Sequence, residues 1–211
     1  NLNSFKIKKS IYKKVKLSHF SSISLALQPS ANTLINLIKL LKKNTNSLIS
    51  IDPNIRPGVI ENKKWYLNQF KKFLHYGDII KMSDEDYNYV SKKKYDSQIY
   101  QWIKTYKISI FILTLGENGS ILYTPKFRIK VKAKKVVTKD SVGAGDCFIA
   151  GIIFYLEKSN NLDLISLKNI SKTDWINGLN FANIVSAKNC SKEGCDPPAI
   201  KDLRKFIKFQ K

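Results

Sequence analysis

The stretch KDSVGAGDCFIAG, residues 139–151, places two opposed chemistries in a few residues. Gly143, Ala144 and Gly145 leave the backbone bare enough for a ligand to touch it, and an apolar helical run follows. The first N–H groups of a helix have no partner within it and attract negative charge. Asp146 falls in the first turn of that helix and carries negative charge itself. Asp140 lies six residues upstream in the same loop. No G-x-x-x-x-G-K-[ST] element is present, and Phe148 stands where the third glycine of a dinucleotide fingerprint belongs. The competing reading is a glycine-containing turn before a buried helix. Cys147, Phe148, Ile149, Ile152 and Ile153 supply the apolar anchor in either case.

The elements around this loop alternate. Residues 16–24 read as a short strand and loop, and SANTLINLIKLLKK as a helix with Leu34, Leu37, Ile38 and Leu41 on one face. LISID, 48–52, is an apolar strand ended by the two prolines of DPNIRPG. ENKKWYLNQFKKFLHY is helical through Leu67, Phe70 and Leu74, and DIIKM, 78–82, is a strand. SDEDYNYV starts a helix with Ser83 as N-cap and acids in the first turn. DSQIYQWIKTY is helical, and ISIFILTLG, 108–116, is the apolar run of a strand buried on both faces. GSILYT and FRIKVKA read as a hairpin-like pair. TDWINGLNFANIVSAKNC places Trp175, Leu179, Ala182 and Ser186 on one helix face, and a last helix covers about Ile200 to Phe209. Strands and helices in alternation give a doubly wound, three-layer αβα fold with a mainly parallel sheet. Ligands bind such folds at the strand C-terminal ends. Three suspicious loops fall there: after Asp52, after Leu115 and before Gly143.

Composition narrows the function. The 211 residues are 43% apolar, enough for a real core in one large domain. The formal charge is +21, but only Arg56, Arg128 and Arg204 among the 37 basic residues are arginine. Nucleic-acid surfaces lean on arginine for bidentate contacts, so the scattered lysines argue against a nucleic-acid partner. They welcome an anionic substrate such as ATP. Cys190 and Cys195 lack C-x-x-C spacing, so neither a zinc site nor a disulfide framework is expected, and a reducing cytoplasm fits. The N-terminal NLNSFKIKKSIYKKVK has no apolar core behind its charges, and the run from Leu17 to Ile38 is too polar to span a bilayer, so no membrane role is expected. A start at Asn1 and a single methionine, Met82, read as a piece of a longer protein.

D-S-V-G-A-G-D-x-F-x-x-G, from Asp140 to Gly151, resembles the second signature of the ribokinase/PfkB sugar kinase family. ILTLGENGS looks like that family's T-x-G-x-x-G turn, through Thr114, Gly116 and Gly119. DIIKMSDED resembles its K-x-S/N-x-x-E segment, with Asp86 in place of the usual Glu. IDPNIRPGVI is similar to the D-P-N-x-R-P loop of bacterial fructokinases, and FANIVSAKNCSKEGCDPPA to the C-terminal adenine-side helix and following loop. The order of these segments matches over residues 1–211, taken as one kinase domain that lacks the family's N-terminal third and lid.

The resemblance implies an ATP-dependent phosphotransferase acting on a sugar hydroxyl, most like a fructokinase. It implies Asp146 as general base and the N–H groups of Gly143, Ala144, Gly145 and Asp146 as the anion hole. It assigns Lys81, Ser83, Thr114, Gly116, Gly119, Asp140 and Asn183 to ATP, Arg56 and Asn54 to the sugar, and Asp86 to Mg²⁺ through water. It leaves open a homodimer in the full-length parent, and an acceptor such as 2-keto-3-deoxygluconate or a nucleoside. A remnant without activity, or a basic binding protein, is the remaining alternative.

Overall fold

A computed structural model describes residues 14–206 of the chain. The strands are β1 (Leu17–Ser21), β2 (Leu48–Asp52), β3 (Ile79–Ser83), β4 (Ile110–Thr114), β5 (Ser120–Tyr123) and β6 (Arg128–Val131). They form one six-stranded sheet in the order β1-β2-β3-β4-β5-β6, mainly parallel, within a three-layer α/β fold as expected. β1 and β2 run parallel in register, Phe20 opposite Ile51, and β2 and β3 are parallel likewise. The chain divides into two compact units.

The first unit holds the residues through Ile112, with Tyr123–Lys126 and Leu162–Leu164. Its helices are α1 (Ser30–Asn44), α2 (Lys63–Tyr76), α3 (Asp84–Val90) and α4 (Tyr95–Tyr106). α1 buries Ala31, Ile35, Ile38 and Leu41, with Leu34 and Leu37 only half-buried. The inward face is therefore turned from the expected one, because Ala31 and Ile35 continue the Ile38 line one turn at a time. α2 starts at Asn62, whose side chain accepts the Trp65 N–H at 2.9 Å. All five residues of β2 are buried, as befits a strand covered on both faces. Gly77 admits the side chain of Ile80, which approaches to 2.3 Å from where a Cβ would stand.

The second unit holds Leu113–Leu122, Phe127–Asn161 and the residues from Ile165. Its main helices are α5 (Ala144–Lys158) and α7 (Lys172–Cys190), followed by the single turn α8 (Ile200–Leu203). A short helix α6 (Leu164–Asn169) precedes α7 and was not expected from the sequence. α5 and α7 pack closely: a Cβ on Gly151 would lie 2.9 Å from the Ala182 Cα, and one on Gly178 would lie 2.9 Å from the Tyr155 ring. The helix expected to Phe209 ends at Leu203 and tightens into a 3₁₀ turn over Arg204–Phe206, and its further residues lie outside those described.

Candidate active site

In the second unit the candidate cradle forms at the start of α5. Gly143 takes φ 75°, a left-handed conformation that glycine adopts without cost, and Ala144 begins the helix. The Ala144 N–H closes a turn onto the Ser141 carbonyl at 3.1 Å, and the Cys147 N–H reaches Gly143 at 2.8 Å. The N–H groups of Gly143, Gly145 and Asp146 meet no acceptor among the described residues. These three free donors cluster at a helix N-terminus, where the dipole adds positive potential. Asp146 is exposed, and its own N–H is one of the three.

The loop before the cradle is held from α7 and the segment after it. Asn189 is fully buried, and its Nδ2 donates to the Val142 carbonyl at 2.7 Å. The Ser186 hydroxyl donates to Ala144 at 2.9 Å. The Lys139 N–H donates to the Cys190 carbonyl at 2.8 Å. Asp140 accepts from Val142 and from Gly194. Asp140 thus braces the loop from inside. The sequence placed Ser186 on the inward helix face without a partner, and Asn189 carried no signal, since mid-helix polar residues look alike before their partners are known.

A cavity of about 590 Å³ opens beside this loop. Ala144, Asn183, Gly116, Lys134 and Lys135 are among its lining residues. Asn183 is buried and donates from Nδ2 to the Lys132 carbonyl at 3.3 Å. Gly116 takes φ 54° at the turn after β4. Thr114 and Gly119 stand outside that lining. Gly119 serves the turn itself: its φ is 92°, and a Cβ there would lie 2.0 Å from the Val131 carbonyl oxygen. The two lysines make the mouth of the cavity attractive to a polyphosphate.

The first unit carries a second constellation where β2 and β3 end. Asp52 is fully buried and pairs with Lys81 at 2.8 Å, itself only 4% exposed. Charges this deep persist only when paired. Burial raises the Asp52 carboxyl above its usual range, against the pull of Lys81. Its other oxygen accepts the Asn54 N–H at 3.2 Å, in a turn where Asn54 has φ 39°. Asp86 is buried, and its oxygens accept the N–H of Ile55 at 2.7 Å and of Ser83 at 3.1 Å. Ser83 returns the bond, its hydroxyl accepting the Asp86 N–H at 3.0 Å. Two carboxylates therefore hold the 52–56 loop. Arg56 is exposed and donates to the Ile55 carbonyl at 3.3 Å. Asp52 stood inside the quoted D-P-N-x-R-P segment without a role; an Asp at a strand end facing a Lys on the next strand was the available signal.

The mainly parallel six-stranded sheet within three α/β layers matches the ribokinase-like class of α/β folds. The pfkB family carbohydrate kinase pattern matches residues 2–202, and the chain belongs to that family. It is 32% identical over 161 residues to a fructokinase of Rhizobium leguminosarum bv. trifolii, covering 76% of this chain and 48% of that protein. It is 28% identical to probable fructokinase-5 of Arabidopsis thaliana, covering 98% of this chain and 63% of that one. A fructokinase double mutant of Vibrio cholerae, solved with fructose, ADP and a potassium ion, superposes with a TM-score of 0.79 at 25% identity. That match covers 93% of this chain and 61% of the other. A fructokinase of Xylella fastidiosa with bound ATP shares the fold at a TM-score of 0.86, with 20% identity, covering 95% of this chain and 63% of the other. The chain thus spans between about half and two-thirds of these relatives' length. No described helix is long and apolar enough to cross a membrane.

Proposed function

We propose that the protein is an ATP-dependent kinase that phosphorylates a sugar hydroxyl, with fructose the first acceptor to test. The observation that carries this reading is a helix start whose Gly143, Gly145 and Asp146 N–H groups meet no acceptor among the described residues, with Asp146 exposed and Ala144 lining a cavity shared with Lys134 and Lys135. Phosphoryl transfer needs positioning and electrostatic stabilisation more than covalent chemistry. The Gly143, Gly145 and Asp146 N–H groups hold the transferring phosphoryl, and fixed donors of this kind need no reorganisation as charge builds. Ala144 keeps the approach open and sets the turn. Asp146 takes the proton of the acceptor hydroxyl, and gaining that proton relieves its repulsion with the phosphate.

The cavity beside Ala144 takes the nucleotide, with Asn183 on the adenine side and Gly116 at the turn. Thr114, Gly119 and Asp140 keep that turn and the cradle in shape. Arg56 and Asn54 meet the sugar, on a loop that Lys81 fixes through Asp52 and Ser83 through Asp86. Asp86 has one backbone donor on each oxygen, which fits Mg²⁺ held through a water. Mg²⁺ would offset polyphosphate charge. Three free thiols fit a cytoplasmic setting.

The test is ADP release by the full-length protein with Mg·ATP and a panel of fructose, 2-keto-3-deoxygluconate and nucleosides. Acceptor-dependent release with one of them supports the reading. Release that no acceptor stimulates rejects it.

A further inference from the structure

Three thiols surround the cradle, and the proposed reaction uses none of them. Cys147 follows Asp146 and lies one helical turn above Gly143, on the same face. Cys195 comes from the segment after α7, and its Sγ lies 2.3 Å from where a Cβ on Gly143 would stand. The sulfur therefore rests against the Gly143 backbone. Cys147 and Cys195 both open onto a second cavity of about 360 Å³. Phe154, Phe181 and Pro197 make that cavity largely apolar, and Asp146 forms part of its wall. Cys190 lines the larger cavity instead.

The three differ in access. Cys147 is buried, and burial pushes its thiol up to about 11. Cys190 is half-buried and raised by burial as well. Cys195 is exposed. The thiolate is the attacking species, so a thiol reagent meets Cys195 first.

We propose that Cys195 is a thiol-modification site through which a small aromatic disulfide shuts the phosphate cradle, its adduct filling the apolar cavity beside Asp146. The chemistry stands on the geometry of the thiols, and its consequence for turnover rests on the kinase reading. The Cys195 thiolate attacks one sulfur of R–S–S–R. A Cys195–S–S–R bond forms, the original S–S bond breaks, and RS⁻ leaves to take up a proton. A dithiol reverses the exchange. Cys147 is the thiol placed to resolve the adduct, but its burial leaves little thiolate at neutral pH, so the mixed disulfide persists.

The experiment treats the protein with one equivalent of 4,4′-dithiodipyridine and maps the label by mass spectrometry. Thermal shifts with ADP and with inorganic phosphate, and sugar-dependent ADP release, are read alongside. The expected label is on Cys195. The phosphate shift is expected to vanish and turnover to fall by at least about tenfold, both restored by dithiothreitol. Cys195→Ser is expected to keep the shift and turnover and to resist the reagent. A first label on Cys147 or Cys190, a Cys147–Cys195 disulfide, or labelled protein that keeps its phosphate shift overturns the proposal. Untreated protein with a phosphate shift but no turnover on any acceptor refutes the kinase reading alone, and the label position and phosphate shift still decide the site. Untreated protein that does not respond to phosphate has no cradle to shut, which also overturns it.

Discussion

The Asp140 carboxylate and the Gly194 amide are joined at 3.1 Å across 54 residues of sequence. The other Asp140 oxygen accepts the Val142 N–H at 2.9 Å, so one side chain clasps the loop before the cradle to the segment after α7. Hydrogen bonds to a charged acceptor contribute about 1.5–3 kcal/mol when buried and less at a half-exposed site such as this. Asp140→Ala is expected to lower unfolding free energy by about 1–2 kcal/mol in urea titrations. It should also raise the KM for ATP more than it lowers kcat. Asp140→Asn retains one acceptor oxygen and should fall between the two.

Gly119 is required by its backbone. At φ 92° with the Val131 carbonyl 2.0 Å from any Cβ, Gly119→Ala combines strain with a backbone clash. The expected loss is about 3 kcal/mol or more, visible as a large fall in Tm. Gly116→Ala has φ 54° but open space, and should cost only about 1–2 kcal/mol.

Much of the fold and cradle was legible because local and global signals agreed. The Ser83 cap, the both-faces-buried β4 and the start of α5 follow from residue type and period alone. α6 was missed because a single turn and a half over Leu164–Asn169 carries too few residues to show a period. The Asp52–Lys81 pair and the Asn189–Val142 bond depend on partners 29 and 47 residues away, which spacing does not reveal. The expected fourth donor of the cradle, the Ala144 N–H, is engaged in a turn that only the backbone path discloses.

The Asp52–Lys81 pair predicts a pH signature. Burial raises the Asp52 pKa above 3.8, so the folded protein holds that proton more tightly than the unfolded chain. The Asp52 contribution to stability is then greatest at low pH and declines as pH rises from 3.8 through the folded value. Lys81→Met removes the influence that opposes burial and leaves the carboxylate unpaired. It should destabilise by about 3–5 kcal/mol near neutral pH. Urea unfolding at about pH 5 and about pH 8 should show a smaller loss on the acid side. A loss equal at both would contradict this account of the pair.

The central claim is that Asp146 is the base within the cradle. Asp146→Asn keeps shape and removes the proton acceptor. In the full-length protein, sugar-dependent ADP release by this variant is predicted to fall by about 10²–10⁴ in kcat. The thermal shift with ADP should be unchanged. Turnover near the wild-type rate with the same acceptor would contradict the assignment.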